Sequence, residues 1–201
     1  MSLGDHLREI RYRVTVSVLA LVLAAVACAF FYQPLVEFIM YPYTVARDEV
    51  RQANPQAELE LINQGVSGPF TLVVAVLIVC GLIITIPVWL YQIWAFVAPG
   101  LLAKEKKYVL YFMGAGIPLF LAGCAMGYWV WPKGIVVMTS FTAQNLEIKN
   151  LQDMADFLSL ELKVILIFGV SFLLPVIVVA LNLFNVVRGH QLKKWRKGVF
   201  F

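Results

Sequence analysis

Charged side chains are scarce in this sequence. Asp, Glu, Lys and Arg make up 14% of its 201 residues, where soluble domains carry roughly a quarter. With 61% hydrophobic residues and a mean hydropathy of +0.82, that scarcity excludes an ordinary water-soluble globule and marks a membrane chain. Cysteine is rare as well. Cys28, Cys80 and Cys124 each sit alone inside an apolar run, so CxxC chemistry, metal-finger spacing and a disulfide framework are excluded, and they read as packing thiols. His6 and His190 are isolated, and HExxH, GxSxG and Gly-rich phosphate loops are missing. No catalytic set, metal site or cofactor site is therefore expected. The net charge of +4 could suggest nucleic acid, but the basic residues lie where a membrane protein keeps them, and no nucleic-acid partner is expected.

Four runs carry no ionisable acid, base or histidine: Val14 to Tyr32, Phe70 to Pro99, Tyr108 to Pro132 and Val164 to Val187. Each reaches the ~20 residues that a helix needs to cross ~30 Å of hydrocarbon. Continuous apolar runs suit helices better than the alternating strands of a barrel. The expected fold is all-α and polytopic, one membrane domain over 1–201 with spans near 14–32, 70–97, 108–131 and 164–185. Loops 33–69 and 132–163 connect them. The second run is long for one crossing, so it should tilt or project at its Gln92-Ile93-Trp94 end. The first run also resembles a signal peptide, with Arg8, Arg11 and Arg13 before it and Ala27-Cys28-Ala29 within it, but its length fits a retained span better.

Loop charge gives the orientation. Arg8, Arg11 and Arg13 precede span one, Lys104, Lys106 and Lys107 link spans two and three, and Arg188, Lys193, Lys194, Arg196 and Lys197 form the tail. All three segments belong inside, and the acid-rich loops belong outside, giving an N-in, C-in chain. With no ionisable residue inside a span, an intramembrane proton relay is not expected.

Shorter signals refine this reading. Ser2 and Asp5 make a capping-box-like start, and Leu3, Leu7, Ile10 and Val14 share one helical face, which predicts a short interfacial helix leading into span one. Pro87, Pro118 and Pro175 interrupt spans two to four and invite kinks that together would make the bundle concave. Gly123-x-x-x-Gly127 should let another helix approach closely. Aromatic belts account for most of Trp89, Tyr91, Trp94 and Phe96 and of Tyr128, Trp129 and Trp131. Glu9 and Glu105 sit among basic residues on the face assigned to the cytoplasm. Ordinary surface charge is the simpler explanation. The alternative is a pair of acceptors for a cationic ligand, for which arginine is the best donor.

Several segments together resemble the TatC family, the signal-receptor subunit of the twin-arginine protein translocase. Asp5-His-Leu-Arg-Glu-Ile-Arg-Tyr-Arg13 is similar to its D-H-L-x-E-L-R-x-R opening. Tyr91-Gln-Ile-Trp-Ala-Phe-Val-Ala-Pro-Gly-Leu101, followed by Lys104-Glu105-Lys106, is similar to its Y-Q-x-W-x-F-x-x-P-G-L-x-x-x-E-[KR] stretch. Phe168-Gly-Val-Ser-Phe172 with Pro175 resembles its fourth span, and Ser67-Gly-Pro-Phe70 the entry to its second.

The resemblance implies a multi-pass protein of the cytoplasmic membrane that binds twin-arginine signal peptides and helps export folded proteins using the proton gradient. It works with TatB-like and TatA-like subunits and other copies of itself, and it makes and breaks no bond. It favours the acceptor reading of Glu9 and Glu105, with Phe96, Arg11 and Pro42 in the same signal-peptide site. Two departures stand out. Leu173 occupies the position where the family commonly carries an intramembrane Glu. The family also has six spans, so Gly198-Val-Phe-Phe201 reads as the threshold of a fifth. A small-solute transporter or channel subunit is the competing reading, and it would need midplane polar groups of which Thr85 is one of few.

Overall fold

The computed structural model describes residues 3–53, 59–63, 65, 67–97, 106–140 and 150–183. Helix α1 runs unbroken over Leu3–Ala29. The separate short helix expected ahead of span one is therefore merged with it, because no proline or glycine interrupts the chain between Gly4 and Ala29. Its polar positions are absorbed within the helix: Thr15 Oγ1 donates to the Arg11 carbonyl at 2.8 Å and Ser17 Oγ to that of Arg13 at 3.0 Å. Much of α1 faces outward with Val18, Leu19, Val22, Leu23 and Val26 exposed. Such a surface is stable only against hydrocarbon.

Phe30 and Phe31 turn the chain, their N–H groups donating to the Ala27 and Cys28 carbonyls, and α2 follows over Tyr32–Ala53. Pro34 falls in its first turn, where a missing N–H is tolerated. α2 is amphipathic, burying Ile39, Pro42, Tyr43, Ala46 and Val50 while Glu37, Arg47, Asp48, Glu49 and Arg51 stay in solvent. Burial pushes the Tyr43 hydroxyl above its usual range, and the Arg47 guanidinium pulls partly back. Pro42 sits inside this helix, so the Phe38 carbonyl one turn earlier loses its helical donor. Tyr128 supplies the replacement, its hydroxyl donating to Phe38 O at 2.7 Å while the two rings stack at 4.6 Å.

The second apolar run becomes two helices, α3 over Ser67–Ile84 and α4 over Ile86–Val97. Pro87 prevents a single ladder from passing through Thr85. The ends are tied locally: Thr85 Oγ1 donates to the Gly81 carbonyl at 2.8 Å, and the Trp89 indole donates to that of Leu82 at 3.0 Å. α5 spans Lys106–Ser140 and α6 spans Met154–Leu183, both continuous through their prolines. Among the described residues four helices are long and apolar enough to cross a bilayer: His6–Ala29, Ser67–Ile84, Leu110–Ser140 and Met154–Ala180, with Ile86–Phe96 a shorter apolar helix.

α5 and α6 form the closest pair in the bundle. A methyl placed on Gly123 would lie 2.6 Å from the Phe168 carbonyl oxygen, and one on Gly127 would lie 3.1 Å from Ile165 Cα. The small-residue pair is thus a backbone contact, as its spacing suggested. Gly169 on α6 answers it, its Cα facing Phe120 and Cys124.

One short parallel pair interrupts the helical plan. β1, Leu59–Ile62, runs beside β2, Asn150–Asp153, with Leu59 opposite Asn150 and Ile62 opposite Asp153. Asp153 then caps α6, its Oδ1 accepting the backbone N–H of Ala155 at 2.8 Å and of Asp156 at 3.2 Å. Asp153→Ala should therefore lower stability by about 1 kcal/mol, read as a drop in the thermal midpoint in detergent. This cap starts α6 upstream of Val164. The helix thus carries Asp156, Glu161 and Lys163 in one continuous segment ahead of the uncharged stretch that begins at Val164. The aromatic reading also changes: Trp94, stacked on Phe112 at 5.1 Å, and Trp131 are buried core residues, while Tyr91 and Trp129 are exposed.

Candidate functional site

α1 and α4 meet at the end of the bundle away from the β pair, and their packing assembles a polar cluster. On α1 the positions His6, Glu9 and Arg13 follow i, i+3, i+7 spacing and share a face. On α4, Gln92 and Phe96 are one turn apart and do the same. Arg13 joins the two helices. Its Nη2 and Nε donate to Glu9 Oε1 at 2.6 and 3.1 Å, and its Nη1 donates to Gln92 Oε1 at 3.3 Å. The His6 and Phe96 rings lie 4.8 Å apart at 36°. The Arg13 and Glu9 side chains keep 20% and 22% of their accessibility, so the pair is partly withdrawn from water and still reachable.

Both guanidinium contacts go to one oxygen, Oε1. An ionised carboxylate offers about four lone-pair sites, so Glu9 can take further N–H donors without losing Arg13. The pair itself contributes little to stability, about 0.5 kcal/mol for an i,i+4 pair at a surface. Its value lies in placement. Arg13 ties the carboxylate to α4 through Gln92, and one turn along each helix the His6 ring lies against Phe96.

Of the residues expected at the site, the structure brings Glu9 and Phe96 onto one face. Glu105 lies outside the described residues, as do Lys104 and the basic tail. Arg11 is exposed and only two residues from Glu9, a spacing that points it to another side of α1. Pro42 is fully buried on α2, beyond the far end of the 27-residue α1, whose length is about 40 Å. His6 and Gln92 join the cluster without having been singled out. Their helical spacing to Glu9 and Phe96 was the available signal, but which helix meets α1 is a tertiary fact.

The family model described as Sec-independent protein translocase protein TatC matches residues 5–201. The chain belongs to the TatC family. The TatC protein of Xylanimonas cellulosilytica is 35% identical over 201 residues, covering 99% of this chain and 70% of its own length. That of Rothia mucilaginosa is 37% identical over 200 residues, covering 98% of this chain and 65% of its own length. A crystal structure of the twin-arginine translocase receptor TatC in DDM superposes with a TM-score of 0.79 at 27% identity, covering 96% of this chain and 82% of that one. This TatC chain is thus a component of the Sec-independent protein translocase, a multi-pass membrane protein engaged in protein transport. It spans about two thirds of the length of these two relatives.

Proposed function

We propose that the α1–α4 face receives the arginine pair of a twin-arginine signal peptide. Glu9 and Glu105 act as carboxylate acceptors and Phe96 as an apolar neighbour, while Arg11, on another side of α1, and Pro42, buried at the opposite end of the bundle, act on binding indirectly. The observation that carries this reading is that Glu9, with 22% of its side chain still accessible, already accepts the guanidinium of Arg13. An incoming arginine presents the same group, and its planar fork can engage the carboxylate edge that Arg13 leaves open. A lysine, a single point donor, cannot reproduce that geometry.

The basic residues that flank the spans in the sequence support an N-terminus on the cytoplasmic side of the cytoplasmic membrane. There the chain helps pass folded proteins outward, powered by the proton gradient, together with TatA-like and TatB-like subunits and further copies of itself. The role is recognition and assembly, with no bond made or broken. Site-specific crosslinking of a signal peptide to position 96 tests this. Crosslinking should fall at least fivefold when the peptide's Arg-Arg becomes Lys-Lys, and equally when Glu9→Gln and Glu105→Gln are combined. Undiminished crosslinking in the double variant would sink the assignment.

A further inference from the structure

Glu161 is the fully buried carboxyl among the described residues, at 0% exposure, and no protein atom makes a hydrogen bond to either of its oxygens. It lies on the packed stripe of α6 between Phe157, Leu158, Leu162 and Ile165, inside a helix long and apolar enough to cross the bilayer. Among the described residues no cation faces it. α3 contributes Leu72 and Val76 to this core. From α5, the Trp131 indole N–H stands toward the carboxyl without a hydrogen bond of ordinary geometry, and the Tyr128 hydroxyl is committed to Phe38. Lys133 holds its ammonium 4.0 Å above the Trp129 ring. The titratable residue of α2 in this core is Tyr43, which meets Phe157 edge-on. On α6 itself, Asp156 and Lys163 are exposed, five and two residues along the helix.

An ionised carboxyl in such a place is strongly disfavoured, because its hydration is lost and no cation replaces it. A neutral acid is far cheaper to bury. An ionisable residue buried in this way near the start of a long apolar helix points to a function in holding or moving a proton. Access exists on one side. At the β-pair end a cleft of about 360 Å³ opens between α5 and α6, with Thr139, Asp153 and Asp156 among its polar lining. Trp131 and Phe157 line the same cleft, and their rings pack 5.8 Å apart. Trp131 therefore stands between the cleft and the carboxyl.

We propose that Glu161 is the binding site for a single proton, held as a neutral carboxylic acid inside the α3–α5–α6 core and exchanged with water through the cleft beneath Asp153. The site is separate from the position in α6 at which relatives carry an acid, because Leu173 lies more than three turns further along, about 18 Å away. It is also independent of the arginine-acceptor reading, since Glu9 lies at the opposite end of the bundle.

Infrared difference spectroscopy of the full chain in lipid nanodiscs tests the site. At pH 7 a protonated-carboxyl C=O band should be present and should vanish in Glu161→Gln. In Glu161→Asp, which keeps an acid should the amide variant misfold, the band should persist at a shifted frequency. On transfer to D2O the band should shift, and Thr139→Trp, which fills the cleft, should slow that shift at least tenfold. A Glu161→Gln difference lying in the ionised-carboxylate region at pH 7 would overturn the proposal, and exchange unaffected by Thr139→Trp would overturn the route.

Discussion

Replacing Gly123 with alanine is expected to destabilise the bundle by about 3 kcal/mol, the upper part of the range for overpacking a tight contact. The reason is the identity of the atoms that the new methyl meets. It would stand 2.6 Å from the Phe168 carbonyl oxygen and 2.9 Å from Gly169 Cα, both backbone, so no side chain can rotate away and α6 itself must move. Moving α6 loosens the buried contacts of Phe120, Cys124 and Ile165 together. Gly114 on the same helix provides the control, since a methyl there meets nothing within 4 Å. Gly114→Ala should be neutral or stabilising by about 0.5 kcal/mol through helix propensity alone. Reversible unfolding in mixed micelles distinguishes the two, and equal midpoints for both variants would show that α5 and α6 do not approach at this glycine.

Tyr128→Phe is expected to destabilise by about 1 kcal/mol, although it removes a single oxygen from a ring that is only partly buried. Its hydroxyl serves a carbonyl that Pro42 has deprived of a helical donor, and the ring stack on Phe38 survives the change. The loss is therefore that of an orphaned acceptor. A double-mutant cycle makes the cause visible. In a Pro42→Ala background the new backbone N–H can reach Phe38 O, so Tyr128→Phe should cost less there by about 1 kcal/mol. Additive effects would separate the proline from the tyrosine. At the α3–α4 junction the Trp89 indole likewise donates to a backbone carbonyl, that of Leu82.

The spans were legible because lipid leaves few choices: a run of uncharged residues at membrane depth must be helical, and four such helices are present. The glycine pair was legible for the same local reason, a spacing that places two missing side chains on one face. What the pattern concealed depends on partners. Pro87 signalled an interruption, but its outcome as two helices joined at Thr85 depends on which donors reach the freed carbonyls. Trp131 looks identical in sequence whether it lies at a headgroup or in a core, and only the packing of α2 and α6 around it decides. Charge counting ended span four at Lys163, whereas the Asp153 cap starts the helix ten residues earlier and buries Glu161. At the α1–α4 face Glu9 and Phe96 were readable as residue types in a motif. Their meeting through Arg13 and Gln92, across 79 positions of chain, was not.

The parallel β pair carries a consequence for motion. Ile62 pairs with Asp153, the residue that caps α6, and α3 begins only five residues after Ile62. The entry points of two bilayer-crossing helices are thereby pinned to a common height by backbone hydrogen bonds. α6 follows β2 without a break, so a slide of α6 by a helical turn, about 5.4 Å, relative to β1 requires the ladder to break or shift by roughly two residues. A piston stroke of α6 is therefore opposed by the ladder, whereas rotation and tilt of α6 about the Asp153 end leave it intact.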